Sequence, residues 1–283
     1  MDAAFSISHR PASAKPLIRL VNADGFLLMI LLAALWNLWH WLGTRLLSSG
    51  EPAWELLPLL SIVFFASTNR PRENTQLNSG SLILAAIALG VYSASTTVAP
   101  PVVRAMIAMV SLTFVISRLR FGTTFHPGVF TLLTLCLPVT DSLNFFLGYP
   151  MRAFVGEATV YLLNLQGLLV YREGVNLQFG DLLIVIDAPC SGVKMLWFGI
   201  LLATNLSFLF RLSVRLFLPV LVTAFALIML GNVMRASALF YIEGGLIEVP
   251  AWMHSAVGVA AFAFTSLSIA CVVKKSSEIK WER

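Results

Sequence analysis

The sequence predicts an all-α integral membrane protein: a polytopic bundle of about eight transmembrane helices, with a short extracytoplasmic amphipathic helix and a β-hairpin before the sixth helix. Three observations predict it. The 283 residues are 58% hydrophobic and only 12% charged, with a mean hydropathy of +0.84. A soluble domain carries roughly twice that charge to stay solvated. Apolar runs long enough to cross about 30 Å of hydrocarbon recur along the chain. The Lys and Arg residues gather in alternate connections between those runs.

The elements follow in order. The first 24 residues are polar and read as a cytoplasmic tail, 1–24. They do not read as a cleavable signal peptide, since no small-residue cleavage site follows a short apolar core. Apolar runs then cover 25–47, 53–68, 81–99, 101–117, 128–148, 190–210, 214–242 and 252–273, within a single membrane domain, 25–273. Pro100 and Pro101 make the tight break between the third and fourth runs. A second cytoplasmic tail covers 274–283.

Orientation follows from the basic residues. Arg10, Lys15 and Arg19 precede the first run; Arg70 and Arg72 follow the second; Arg118 and Arg120 follow the fourth; Arg211 and Arg215 follow the sixth. Lys274, Lys275, Lys280 and Arg283 close the chain. With eight spans all of these fall on one side, the cytoplasm, and both termini lie there. The opposite connections hold Glu51, Glu55, Glu243 and Glu248. The predicted location is therefore the cell (inner or plasma) membrane. The net charge of +5 is spread over these short clusters with no basic stripe, so no nucleic-acid partner is expected; the lipid bilayer is.

The external insert is 148–189. Met151, Phe154, Val155, Ala158, Leu162 and Leu165 recur at helical spacing, with Arg152 and Glu157 off the stripe, which predicts an amphipathic helix on the outer leaflet. Val175, Leu177 and Phe179 alternate with polar residues, Gly180 and Asp181 turn the chain, and 182–186 is a second β-type run. This hairpin leads directly into Cys190.

Three residues carry chemistry. Cys190 follows Pro189, which is tolerated in a first helical turn, so the thiol is predicted at a helix N-terminus where the dipole favours a thiolate. Ser191 and Gly192 follow, and Gly192 leaves room for another backbone. Arg235 stands 21 residues after Val214, about 30 Å up the seventh span at 1.5 Å per residue. That is close to the outer surface. His254 opens the eighth span, also at the outer face. Each has a plainer reading alone: Cys190 as a small hydrophobe, Arg235 snorkelling to headgroups or pairing with Glu243, His254 as an interfacial histidine beside Trp252. Together they supply a thiol nucleophile, a general base and acid, and a fixed cation for an oxyanion. Asn232, about one turn from Arg235, could orient it or donate to substrate. Cys136 and Cys271 read as hydrophobes at other membrane depths, so no disulfide is expected. His40 reads as an interfacial histidine among tryptophans, and His126 falls on the cytoplasmic side. No metal or cofactor is expected, because His254 and Cys190 are too few ligands.

In its motifs the chain resembles the exosortase/archaeosortase family of membrane cysteine transpeptidases. The likeness rests on Ala188-Pro189-Cys190-Ser191-Gly192, on Asn232-Val233-Met234-Arg235, and on Met253-His254 with Gly258, with its core over about 135–265. The resemblance implies that Cys190, Arg235 and His254 are catalytic. It also implies that the partners are membrane-anchored substrate proteins with a C-terminal signal of short motif, transmembrane helix and basic tail. Two other readings compete: a transporter using Arg104, Asp141 and Arg235 as intramembrane charges, and a non-catalytic assembly factor. Arg104 and Asp141 both lie near the outer boundary and form no path across the bilayer. The sequence leaves open the recognition motif, the acceptor and the oligomeric state.

Overall fold

The computed structural model describes residues 23–48, 53–68, 77–185 and 192–279. The chain is mostly helical, with one small sheet. Ten α-helices are α1 (Ala23–Ala34), α2 (Trp36–Ser48), α3 (Leu56–Thr68), α4 (Ser79–Ala94), α5 (Pro101–Ile116), α6 (Pro127–Leu135), α7 (Thr140–Leu165), α8 (Val193–Leu209), α9 (Val214–Glu243) and α10 (Trp252–Ser277) among the described residues. Between α7 and α8 lie β1 (Val170–Glu173), β2 (Asn176–Phe179) and β3 (Leu182–Ile184).

Each of the eight apolar runs is mainly helical where described, but not every one is a full span. Four stretches are individually long and apolar enough to cross a bilayer: Ser79–Thr97, Pro101–Phe121, Val214–Glu243 and Trp252–Ser277. Two bent pairs raise the number to six, α1 with α2 at 64° and α6 with α7 at 99°. α3 and α8, with 13 and 17 residues, fall short of the roughly 20 that a straight span needs. The protein is thus a multi-pass membrane protein with four to six spans by length and composition.

The second bent pair corrects the sequence reading. The run 128–148 is not one helix. α6 stops at Leu135, and Pro138, with no N–H to donate, stands in the break before α7. α7 then continues for 26 residues through Pro150. The stretch read as a separate amphipathic helix after 148 is the second half of this longer helix.

Local sequence explains the other boundaries. Asn78 caps α4, its Oδ1 accepting from the Ser81 N–H at 3.0 Å. Pro101 stands at the first turn of α5 and Pro127 at that of α6. The buried Ser111 hydroxyl ties α5 to α4 by donating to the Ala85 carbonyl at 2.8 Å.

Two apolar cores result. One gathers α1 to α6, with Leu35, Met109, Leu112, Leu132 and Leu137 almost fully buried. The other joins α7 to α10 through Val155, Val193, Ile228 and Ile269. α8 is their common wall: Trp197 and Leu201 face the first core, Val193, Leu196 and Ala203 the second. α9 and α10 approach closely where Gly231 meets the Thr265 side chain. A Cβ on Gly199 of α8 would lie 2.5 Å from Ile228 Cδ1 of α9, so glycine lets Ile228 pack close at that crossing.

The predicted hairpin is present and gains a strand. β1, β2 and β3 form an antiparallel meander with Leu177 paired to Arg172 on one side and to Ile184 on the other. Val170, Leu177 and Ile184 bury one face against Leu163 of α7 and Phe240 of α9. Asn164 holds β1 at both polar groups of Val170, accepting from its N–H at 2.9 Å and donating to its carbonyl at 3.1 Å. The sheet is therefore fixed to the ends of α7 and α9.

Candidate active site

The sheet end of the second core gathers most of the residues singled out above. Asn232, Arg235, Leu239 and Glu243 recur at intervals of three or four residues and, with Ala236, form one stripe along α9. They line a narrow cleft whose other wall is Leu177, Ile184 and Val185 of the sheet. Asn232 is buried. The Arg235 side chain is part-buried, and its Nε is shielded from solvent with no hydrogen-bond partner among the described residues.

Gly192 brings α8 to the same place. It is the N-cap of α8, at φ +80°, a left-handed conformation that costs glycine little. A Cβ there would lie 2.7 Å from Asn232 Nδ2 and 3.4 Å from Met151 Cε. The chain just before α8 thus rests on Asn232, one turn from Arg235. Cys190 and Ser191 lie outside the described residues. Among the described residues α8 begins at Val193. The reason is local: the left-handed backbone of Gly192 cannot be part of a right-handed helix.

α10 supplies the rest. A Cβ on Gly258 would lie 3.5 Å from Arg235 Nε, so the guanidinium lies against bare backbone. His254 is one turn earlier on the same face of α10. Its Nδ1 is 3.3 Å from Glu243 Oε1, and its side chain is about 45% exposed. Sequence reasoning offered Glu243 as a partner for Arg235; the structure pairs it with His254 instead.

The other polar residues are occupied elsewhere. Asp141 pairs with Arg45 at 2.6 Å, with both side chains well exposed. Arg104 donates to the Thr96 carbonyl at 3.2 Å. His126 stacks on Phe208 with ring centroids 4.9 Å apart. Cys136 is buried and its thiol donates to the Leu132 carbonyl at 3.2 Å; Cys271 is exposed on the outer surface of α10.

No curated protein and no solved structure matches the chain. A family model described as Transmembrane exosortase (Exosortase_EpsH) matches residues 21–271, from the start of α1 to within the last two turns of α10. That match includes the thiol segment, the α9 stripe and the start of α10, and the chain belongs to the transmembrane exosortase family.

Proposed function

We propose that this protein is a membrane cysteine protease-transpeptidase that cuts C-terminal sorting signals from exported proteins, with Cys190 as nucleophile, His254 as general base and acid, and Arg235 as oxyanion or substrate ligand. Family membership supports the broad role, a membrane protein-sorting transpeptidase. The observation that carries the finer reading is the convergence of Gly192, Asn232, Arg235 and His254 at one end of α8, α9 and α10. Covalent connectivity keeps Cys190 within about 7 Å of Gly192. Gly192 touches Asn232, one turn from Arg235.

The chemistry follows from those groups. His254 Nε2 takes the thiol proton, and Cys190 Sγ adds to the scissile carbonyl carbon. The guanidinium of Arg235, with a shielded Nε donor that has no other described partner, balances the negative oxygen. When the C–N bond breaks, the same Nε2–H protonates the leaving amine and a thioester remains. Water or an amine then attacks the thioester carbon, gives its proton to His254 and releases the thiol. The transport reading loses ground because Arg104 and Asp141 are held at the rim by Thr96 and Arg45. The direct test is to trap the thioester by co-expressing a substrate, quenching in acid and measuring the mass of the Cys190 peptide. A peptide always found as the unmodified thiol, while substrate is being cut, excludes the mechanism.

The substrates of this reading are membrane-anchored proteins carrying a motif, a helix and a basic tail. The site faces the extracytoplasmic side of the cell membrane, with both termini in the cytoplasm. Reporter fusions check this: one after Arg283 is active inside, and one in the turn after Arg172 is active outside. A C-terminal reporter active only outside would overturn the orientation.

Among the three cysteines, Cys190 reacts fastest with a small water-soluble alkylating reagent added from outside. Burial and the Leu132 hydrogen bond protect Cys136. The apolar surface around Cys271, with Leu267 and Phe264 exposed beside it, faces lipid rather than water. Equal labelling of Cys136 or Cys271 in folded protein contradicts this.

A further inference from the structure

We infer that Glu243 is a positioning residue for His254, its carboxylate fixing the imidazole tautomer; the inference rests on the proposed reading of Cys190 and His254 as the reacting pair. Three observations carry it. Glu243 Oε1 lies 3.3 Å from His254 Nδ1, the ring nitrogen on the side away from Nε2. Glu243 is the last residue of α9 and His254 stands in the first turn of α10, so the two helix ends of one antiparallel pair present them to each other. Glu243 also lines the cleft that holds Asn232 and Arg235.

The geometry decides which side chain the carboxylate serves. Arg235 and Glu243 share a helix face but are eight residues apart, about 12 Å along the axis at 1.5 Å per residue. His254 is the partner it meets, at 3.3 Å. A carboxylate at Nδ1 favours the tautomer with its proton there and leaves the Nε2 lone pair free for a thiol. When Nε2 gains the Cys190 proton, the Glu243 side chain lies beside the imidazolium. Its side chain is only about 35% exposed, so water screens the pair less than on an open surface. Glu248, in the connection between α9 and α10, is exposed and shows no pairing with His254.

The test measures the initial rate at which a co-expressed substrate is cut, per amount of monodisperse protein, in the full chain. Glu243→Gln keeps the shape but removes the charge, and the rate falls about 10- to 100-fold. Glu243→Asp, one methylene shorter, recovers part of that loss. In a His254→Ala background Glu243→Gln has no further effect, because a residue acting through the imidazole has nothing left to position. A wild-type rate for Glu243→Gln, or an undiminished further loss in the His254→Ala background, overturns the inference. Wild-type rates for Cys190→Ala and His254→Ala instead overturn the underlying reading, so the two failures are distinct. Should Glu243→Gln not yield monodisperse protein, the Glu243→Asp rate with and without His254 makes the same comparison.

Discussion

Replacing Cys190 with alanine is expected to abolish the cut form of a co-expressed substrate while the protein remains folded and at its normal level. Neither described thiol can substitute, since Cys136 is buried on the far side of α8 and Cys271 stands near the opposite end of α10. Cys190→Ser is expected to be nearly inactive too. A hydroxyl is far harder to ionise than a thiol, and one histidine does not make up the difference. His254→Ala removes the base of the first step and the acid of the second, so a loss of at least about 100-fold is expected. The ratio of cut to uncut substrate on a gel reads all three. Substantial cutting by Cys190→Ala would remove the thiol from the mechanism whatever the other variants do.

The second large effect is expected at Arg235, where lysine is more informative than alanine. Lysine keeps the positive charge but loses the planar fork of donors. If the guanidinium binds the oxyanion or the substrate carbonyl, lysine restores little, and the barrier rises by roughly 3 kcal/mol. If the arginine only reaches for lipid headgroups, lysine works nearly as well. The local structure favours the first outcome. The Arg235 Nε is buried in the cleft rather than extended to the interface, and Gly258 leaves it room against α10. Full activity of both Arg235→Lys and Arg235→Ala would leave a cysteine–histidine pair as the whole apparatus. The same gel measurement decides it.

How much of this was legible in the sequence depended on what kind of signal each element carries. α9 matches the predicted run to one residue and α10 starts where predicted but runs four residues past 273 into the predicted tail, because an uninterrupted apolar run marks each helix while Lys274 and Lys275 continue the last one as polar turns. The hairpin was read from its alternation and its Gly180 turn. β1 was missed, since its Val170, Tyr171, Arg172 and Glu173 place only one residue in the core. The fifth run failed for a different reason. Hydropathy runs straight through Leu137, Pro138 and Val139, and averaging over a window cannot tell a proline that breaks a helix from Pro150, which α7 accommodates. At the site, counting along the spans puts Arg235 and His254 at one level, and in the structure Arg235 lies against Gly258, one turn from His254. Depth could not say which of the two Glu243 would meet, because that depends on how α10 is rotated and set against α9. Cys190 itself lies outside the described residues, and Gly192, two residues on, is the first described residue after it.

The setting of α10 against α9 has a mechanical meaning. Going four residues up α9, from Gly231 to Arg235, the contacts on α10 go seven residues back, from Thr265 to Gly258. Thr265 seated on Gly231 acts as a notch and Gly258 under the guanidinium as a second. Between them they fix the sliding position of two long helices. A slip of one helical turn is about 5.4 Å, more than enough to part His254 from Glu243 at 3.3 Å. Membranes of different thickness push helices to tilt and shift past one another. The lower notch, at Gly231 and Thr265, lies one turn from Arg235 along α9 and about three turns from His254 along α10. The alignment of the His254–Glu243 pair is thereby held from the middle of two apolar helices.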